Sequence, residues 1–387
     1  MLLLESFNAS AAVDKLLLTG IERMAFGAYI NLYIALCGLS NIFLAASASD
    51  DGILVFRMYA LFHIYLSLTF SPIQYIIKKY RLQYLFSLFL LCFRPIQCII
   101  TVINTGGVKM DFRYLGTAAA EGWPAVFCRC EHCNRARAAG GRNIRTRSQA
   151  IINDDLLIDF PPDANMHMLQ NGLDYSGVKY LIVTHSHLDH FAPVDLFFRD
   201  DVCYAHNLKV PQMLLYGPPK VIDTFRRYLE FYPDERIGKY IVTQTAEFYK
   251  PVTMGRYTVT PLRANHMTGN DAAFYLITDG EKTVLYMHDT GMLYDDALDY
   301  LKSHSVHADF VSFDCTYVLL PSGGGHLGLD TCCTVRDILT EAGVIGEHTV
   351  KCVNHFSHNG KAIYDELVPV AAKEGFLVSY DGMPVKF

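Results

Sequence analysis

Internal repeats and low-complexity tracts are missing from this 387-residue chain, which excludes solenoids, propellers and fibrous arrays. A leader ending in an A-x-A-like cleavage site is missing too. With it goes the usual reason to pair cysteines as disulfides. The eleven cysteines are an odd number, and the expected setting is a reducing cytoplasm, where clustered thiols bind metal. Positive charge is scarce in most of the chain. Residues 1–109 carry 8 Lys+Arg against 5 Asp+Glu, or +3, so the whole-chain −6 leaves −9 for residues 110–387. Such an acidic surface disfavours non-specific binding to nucleic acid.

The chain is 51% hydrophobic with a mean hydropathy of +0.18, and the excess lies in residues 1–109. Residues 24–48 are uncharged and long enough to span a bilayer. Residues 58–77 offer a second span, interrupted by His63 and Pro72 and followed by the basic KKYR. LQYLFSLFLLCF (82–93) is a short third run. Two readings stand: a membrane anchor of two or three helices, or upstream translation before a start at Met110. In the second, the Gly106-Gly107 codons supply a ribosome-binding sequence. Either way, the expected division is a hydrophobic extension, 1–109, and a separate folded domain, 110–387.

From Met110 onward, strand and helix patterns interleave, which indicates a layered α/β domain. FRYLGT (112–117) reads as a strand. AIINDDLLIDF (150–160) reads as a hairpin turning near Asn153-Asp154-Asp155, and DANMHMLQNGL (163–173) as a helix ending near Gly172. VKYLIVT (178–184) is apolar enough for a strand buried on both faces. Further strands are expected at 256–263, 272–278, 282–289, 308–315, 349–355 and 375–380. Helices are expected at 221–232, 291–303, 330–343 and 360–375.

VKYLIVT runs directly into HSHLDH, placing His185, His187, Asp189 and His190 just past a strand end. Neutral imidazoles and carboxylates at this density suit zinc, manganese or iron. His266, Asp289 and His355 sit at three later strand ends. A lone histidine is usually a core or surface residue, but H-x-H-x-D-H after a hydrophobic strand is not explained that way. Earlier, Cys128, Cys130 and Cys133 fall in CRCEHC, three ligands of a site that needs four.

THSHLDH and the three later residues resemble the metallo-β-lactamase superfamily. The resemblance implies an α/β fold, a four-layer αββα sandwich. It implies that His185, His187 and His266 hold one divalent metal, zinc or manganese, and that Asp189, His190 and His355 hold a second, with Asp289 bridging. Asp159 would be the early aspartate that supports the metal loop. LGTAAAEGWPAVFCRCEHC and the spacing His355-x-x-His358 are similar to a branch, the phosphodiesterases that accompany the carbon–phosphorus lyase pathway of phosphonate breakdown. That likeness implies a structural zinc on Cys128, Cys130, Cys133 and His358. It also implies a general acid in GHLGLDT, here His326. The resemblance covers nearly all of 110–387 and none of 1–109.

The implied chemistry is in-line attack on phosphorus by a water activated between two metals, with His326 protonating the leaving alkoxide and Asp189 holding the water. The expected substrate is a ribose 1,2-cyclic phosphate carrying a 5-phosphate. RARAAGGRNIRTR (135–147), read as a loop, has five arginines that either steer an anion or simply face solvent. The expected partners are the small phosphodiester and a second copy in a homodimer, with a membrane only if 1–109 is translated. The main alternative is a tRNA 3′-processing endonuclease, which typically carries a basic Gly/Pro-rich arm. Residues 191–265 show no such arm. A membrane-attached sensor and a β-lactamase fit less well.

Overall fold

The computed structural model describes residues 110–199, 203–231, 240–266, 271–322 and 324–387. These belong to one compact unit. The expected spans within 1–109 lie outside the described residues, and among those described no helix is long and apolar enough to cross a membrane.

Fourteen described strands form two sheets. The first holds β1 (Phe112–Gly116), β2 (Gln149–Ile152), β3 (Leu156–Ile158), β4 (Tyr180–Ile182), β5 (Met213–Gly217), β6 (Ile241–Thr245) and β14 (Pro384–Val385), in the order β14-β1-β2-β3-β4-β5-β6. The second holds β7 (Val252–Met254), β8 (Tyr257–Arg263), β9 (Ala273–Thr278), β10 (Thr283–Met287), β11 (Ala308–Asp314), β12 (Ile345–Asn354) and β13 (Leu377–Val378), in the order β13-β12-β11-β10-β9-β8-β7. The helices are α1 (Glu131–Ala139), α2 (Ala164–Asn171), α3 (Pro219–Phe231), α4 (Asp295–Ser303), α5 (Leu329–Glu341) and α6 (Tyr364–Lys373).

Strand periodicity sorts the core into three layers. Phe112, Tyr114, Ile152 and Ile182 from the first sheet meet Tyr257, Tyr275, Tyr286 and Phe310 from the second, which makes the inter-sheet core. Their neighbours along the strands point the other way. Leu115, Ile151, Leu181 and Leu215 pack on Val221, Ile222 and Phe225 of α3. Leu285, Met287, Val311 and Phe313 pack on Leu301 of α4, Val335 and Leu339 of α5, and Leu367 of α6. The result is an αββα sandwich.

Local signals behave as their chemistry dictates. The β2–β3 hairpin pairs Ile152 with Leu156, and its turn puts Asn153 and Asp154 at φ 50° and 58°, a region those side chains tolerate. Gly172 ends α2 in the left-handed conformation. Gly116 is required by close approach: a Cβ there would lie 1.9 Å from the Arg147 carbonyl oxygen.

One expectation fails in part. Residues 135–139 are not loop but the second half of α1. The five arginines are also engaged. Arg135 pairs with Glu131 and Glu366, and Arg137 donates to the Cys128 carbonyl at 2.7 Å. Arg142 lies over the Tyr380 ring at 3.9 Å. Arg145 is buried on Thr117 and the Ser379 carbonyl, and Arg147 forks onto Asp163. They brace the fold around the cysteine segment.

Candidate metal centres and active site

Every residue in the expected active-site metal-ligand set lies just past the C-terminal end of a strand. HSHLDH follows β4 and closes into one helical turn, with the His187 carbonyl accepting from the His190 and Phe191 amides at 3.0 and 2.8 Å. His266 follows β8, Asp289 follows β10 and His355 follows β12. A bridge between His185 and Ala272 joins the sheets at this rim.

The structure brings the set together as two adjoining clusters. In one, ligand atoms of His185, His187, His266 and Asp289 lie within 4.8 Å of one another, and in the other those of Asp189, His190, Asp289 and His355 do. The His187 Nδ1 sits 2.9 Å from His185 Nε2 and 3.2 Å from His266 Nε2. The His190 and His355 Nε2 atoms are 3.1 Å apart. Asp289 stands between: its Oδ2 is 3.1 Å from His185 Nε2 and 3.2 Å from His190 Nε2, and its Oδ1 is 2.8 Å from His355 Nε2.

These spacings fit cations. Nitrogen ligands at about 2.05 Å from a tetrahedral zinc would be about 3.3 Å apart. The outward nitrogens of His190, His266 and His355 already have partners, which turns their inward nitrogens toward the cluster interior. His190 Nδ1 donates to Asp159 Oδ2 at 2.7 Å. His266 Nδ1 donates to the Gly325 carbonyl at 3.2 Å, and His355 Nδ1 meets Thr316 Oγ1 at 2.8 Å. Converging lone pairs and carboxylates repel unless a positive charge sits among them. The electrostatics agree. Burial lowers His355 but is outweighed by the Asp289 and Asp189 carboxylates, which push it up to about 10. Burial, with the charge of His190, drives His185 down to about 3.

Asp159 is fully buried and also accepts from the Thr184 amide at 2.7 Å and the Thr184 hydroxyl at 2.9 Å. It anchors the metal loop. Asp159, Asp289 and His355 share a backbone signature, with φ of 66°, 47° and 62°. Non-glycine residues rarely adopt it, and here it turns each side chain into the rim.

The cysteine site also assembles. Cys128, Cys130, Cys133 and His358 place their ligand atoms within 4.8 Å. His358 Nδ1 is 3.5 Å from Cys130 Sγ and 3.9 Å from Cys128 Sγ, near the roughly 3.6 Å expected around a tetrahedral zinc. Cys130 caps α1 and its sulfur accepts from the Cys133 amide at 3.4 Å. Burial opposes its ionisation, yet that amide and the neighbouring thiols and imidazole bring it down to about 6. Burial instead holds Cys133 up, to about 12. His358 opens a 3₁₀ turn, His358–Gly360, only three residues after His355, so the two sites share a loop.

A cavity of about 300 Å³ opens over the first two clusters, lined among others by His326, Tyr317, Asn359 and Glu121. His326 is held through Nδ1 by Asp314 Oδ2 at 3.0 Å and Thr316 Oγ1 at 3.2 Å. Burial works against its protonation, but Asp314 and Asp289 raise it above the ordinary imidazole value. Asp314 ends β11 and was missed in the sequence. Its signal was the same as for Asp289, an aspartate closing an apolar strand. Glu121 was missed as well, lying in a small-residue loop with no motif of its own.

A two-sheet sandwich whose rim gathers histidines and carboxylates at metal-ligand spacing is the mark of a metal-binding hydrolase fold. Residues 155–348 match the beta-lactamase superfamily domain. The chain belongs to that superfamily and has the metallo-β-lactamase fold, which implies binding of divalent metal. Coenzyme PQQ synthesis protein B of Methylobacterium radiotolerans is 31% identical over 123 residues, 28% of this chain and 38% of that protein. The chain thus spans well under half the length of this relative. Among solved structures, a diphosphatase of the PhnP family aligns with a TM-score of 0.55 at 17% identity, covering 72% of this chain and 98% of that one. Zn²⁺-bound PqqB of Methylobacterium extorquens gives 0.54 at 20%, covering 72% and 100%. The short form of human tRNase Z gives 0.51 at 15%, covering 72% and 99%.

Proposed function

We propose that this protein is a phosphodiesterase that opens a small cyclic phosphodiester of the ribose 1,2-cyclic phosphate type, working with two active-site metals and one structural zinc. One observation carries the reading: a complete seven-residue ligand set shares a loop with a Cys3His cluster. That combination supports the phosphonate-linked branch over relatives without the cysteines, and the fold likeness to a PhnP-family diphosphatase is consistent with it.

His185, His187 and His266 would hold one divalent ion and Asp189, His190 and His355 the other, with Asp289 between. When bound, such ions polarise a phosphoryl oxygen and lower the pKa of water. The chain's own groups do the rest. Asp189, lining the cavity, accepts a hydrogen bond from the attacking water and orients it. His326 is the acid. With Nδ1 committed to Asp314, it offers Nε2 to the leaving alkoxide, and the Asp314 and Asp289 carboxylates raise its affinity for the proton it delivers.

The test supplies the full-length protein with zinc or manganese and measures turnover of a ribose 1,2-cyclic phosphate, an aryl phosphodiester and a precursor tRNA. Preference for the cyclic diester is expected, and Asp289→Ala should lose nearly all turnover. Cleavage of tRNA alone, or near wild-type activity in the variant, would overturn the proposal.

A further inference from the structure

The cavity over the clusters has an unusual charge inventory for a phosphate-handling enzyme. Among its described lining residues none is lysine or arginine. The nearby arginines of 135–147 are tied to carboxylates, carbonyls and rings, and none of them lines the cavity. Apart from His326, which Asp314 holds for the leaving group, the lining group outside the two active-site clusters that can carry charge is a carboxylate, Glu121. Its Oε1 accepts from the Ser357 hydroxyl at 2.5 Å and lies 3.6 Å from His358 Nε2. Its Oε2 has no partner among the described residues. The side chain is 30% exposed. Around it the wall is neutral and polar: Ser357, Asn359, Tyr317 and Thr316.

A second phosphate on the substrate would need an arginine fork, a lysine or a free helix N-terminus to replace its water. Here it would meet a carboxylate. An ionised carboxylate only accepts hydrogen bonds, so it suits sugar hydroxyls, and two like charges at close range repel. We propose that Glu121 determines specificity: the pocket takes a phosphodiester whose diester is its only anionic group, and Glu121 accepts from a hydroxyl of the alcohol portion. This rests on the phosphodiesterase reading and narrows it. The preferred substrate is the ribose 1,2-cyclic phosphate with a free 5-hydroxyl, not its 5-phosphorylated counterpart expected from the sequence.

The contact with His358 adds a consequence. The carboxylate that reads the substrate is positioned by a ligand of the cysteine site, so that site sets the pocket wall as well as the loop.

The experiment compares kcat/KM for the two ribose 1,2-cyclic phosphates, with and without the 5-phosphate, on the full-length protein. The wild type should favour the free hydroxyl by about tenfold or more. Glu121→Gln keeps the volume and an acceptor for Ser357, and should narrow that ratio with metal content unchanged. Glu121→Lys should reverse it. Calorimetric binding of ribose 1-phosphate against ribose 1,5-bisphosphate gives a readout independent of turnover and should show the same ordering. A wild type that prefers the phosphorylated diester, or a ratio unmoved by Glu121→Gln, overturns the proposal. If neither diester turns over, the phosphodiesterase reading falls, and the binding ratio alone decides the role of Glu121.

Discussion

Asp381 is a half-buried residue whose carboxyl accepts from the Thr117 hydroxyl and from both the amide and the hydroxyl of Thr146, each at 2.6 Å. Burial raises it to about 6 against these hydrogen bonds and the nearby Arg145. The folded state therefore binds the proton more tightly than the unfolded chain, so this group's contribution weakens as pH rises from about 4 to about 6. Relative to Asp381→Asn, the wild type should gain about 2–3 kcal/mol as pH falls through that window. Urea titrations of both proteins at several pH values check this, and a difference that stays flat would contradict it. At this scale the ligands themselves were legible, because imidazoles and carboxylates in HSHLDH have few other reasons to crowd. Their geometry was not. Nothing in the letters says that Asp159, Asp289 and His355 need positive φ, since the conformation is imposed by the packed strands around them. Glu121 was equally hidden, because its meaning comes from Ser357 and His358, more than 200 positions away.

At the level of elements, α1 and the turn at His358 depend on each other. Cys130 caps the helix, Cys133 lies inside it, and His358 reaches in from a distant loop. His358→Ala should cost about one equivalent of zinc, because a closed site with three ligands binds far more weakly. Amide exchange should then quicken in residues 125–139 and 356–360, while amides of β10 and β11 keep their protection. Unchanged zinc content would refute the four-ligand assignment. The elements that the sequence announced were those with an unambiguous period or punctuation, such as the Asn-Asp hairpin and the α5 helix. Those it hid had physical reasons. α1 is short, arginine-rich and buries only Cys133 and Ala136. β5 is a run too short to tell strand from helix. β6 is the edge of its sheet and leaves four of its five residues exposed or half-exposed, Val242, Thr243, Gln244 and Thr245, so it lacks an apolar signature.

For the whole molecule, the active-site set is divided between the halves of the sandwich. His185, His187, Asp189 and His190 hang from the first sheet, whereas His266, Asp289 and His355 hang from the second. A metal that touches both favours only the docked state. Chelation of the full-length protein should lower its melting temperature, and added zinc should restore it in a concentration-dependent way. A melting temperature indifferent to free zinc would mean that the clusters do not bind it appreciably. The layered architecture was legible as a whole because interleaved periodicities leave few ways to bury every apolar face.

The same division orders events in time. As the chain leaves the ribosome, the first sheet's strands through β6 and their four rim ligands are made before any of the other three exist. Each cluster then lacks two of its four members, including the shared Asp289. The rim cannot capture its full complement of ions until His355, the last of the seven in chain order, has been made, so a charged metal centre certifies that both sheets are present.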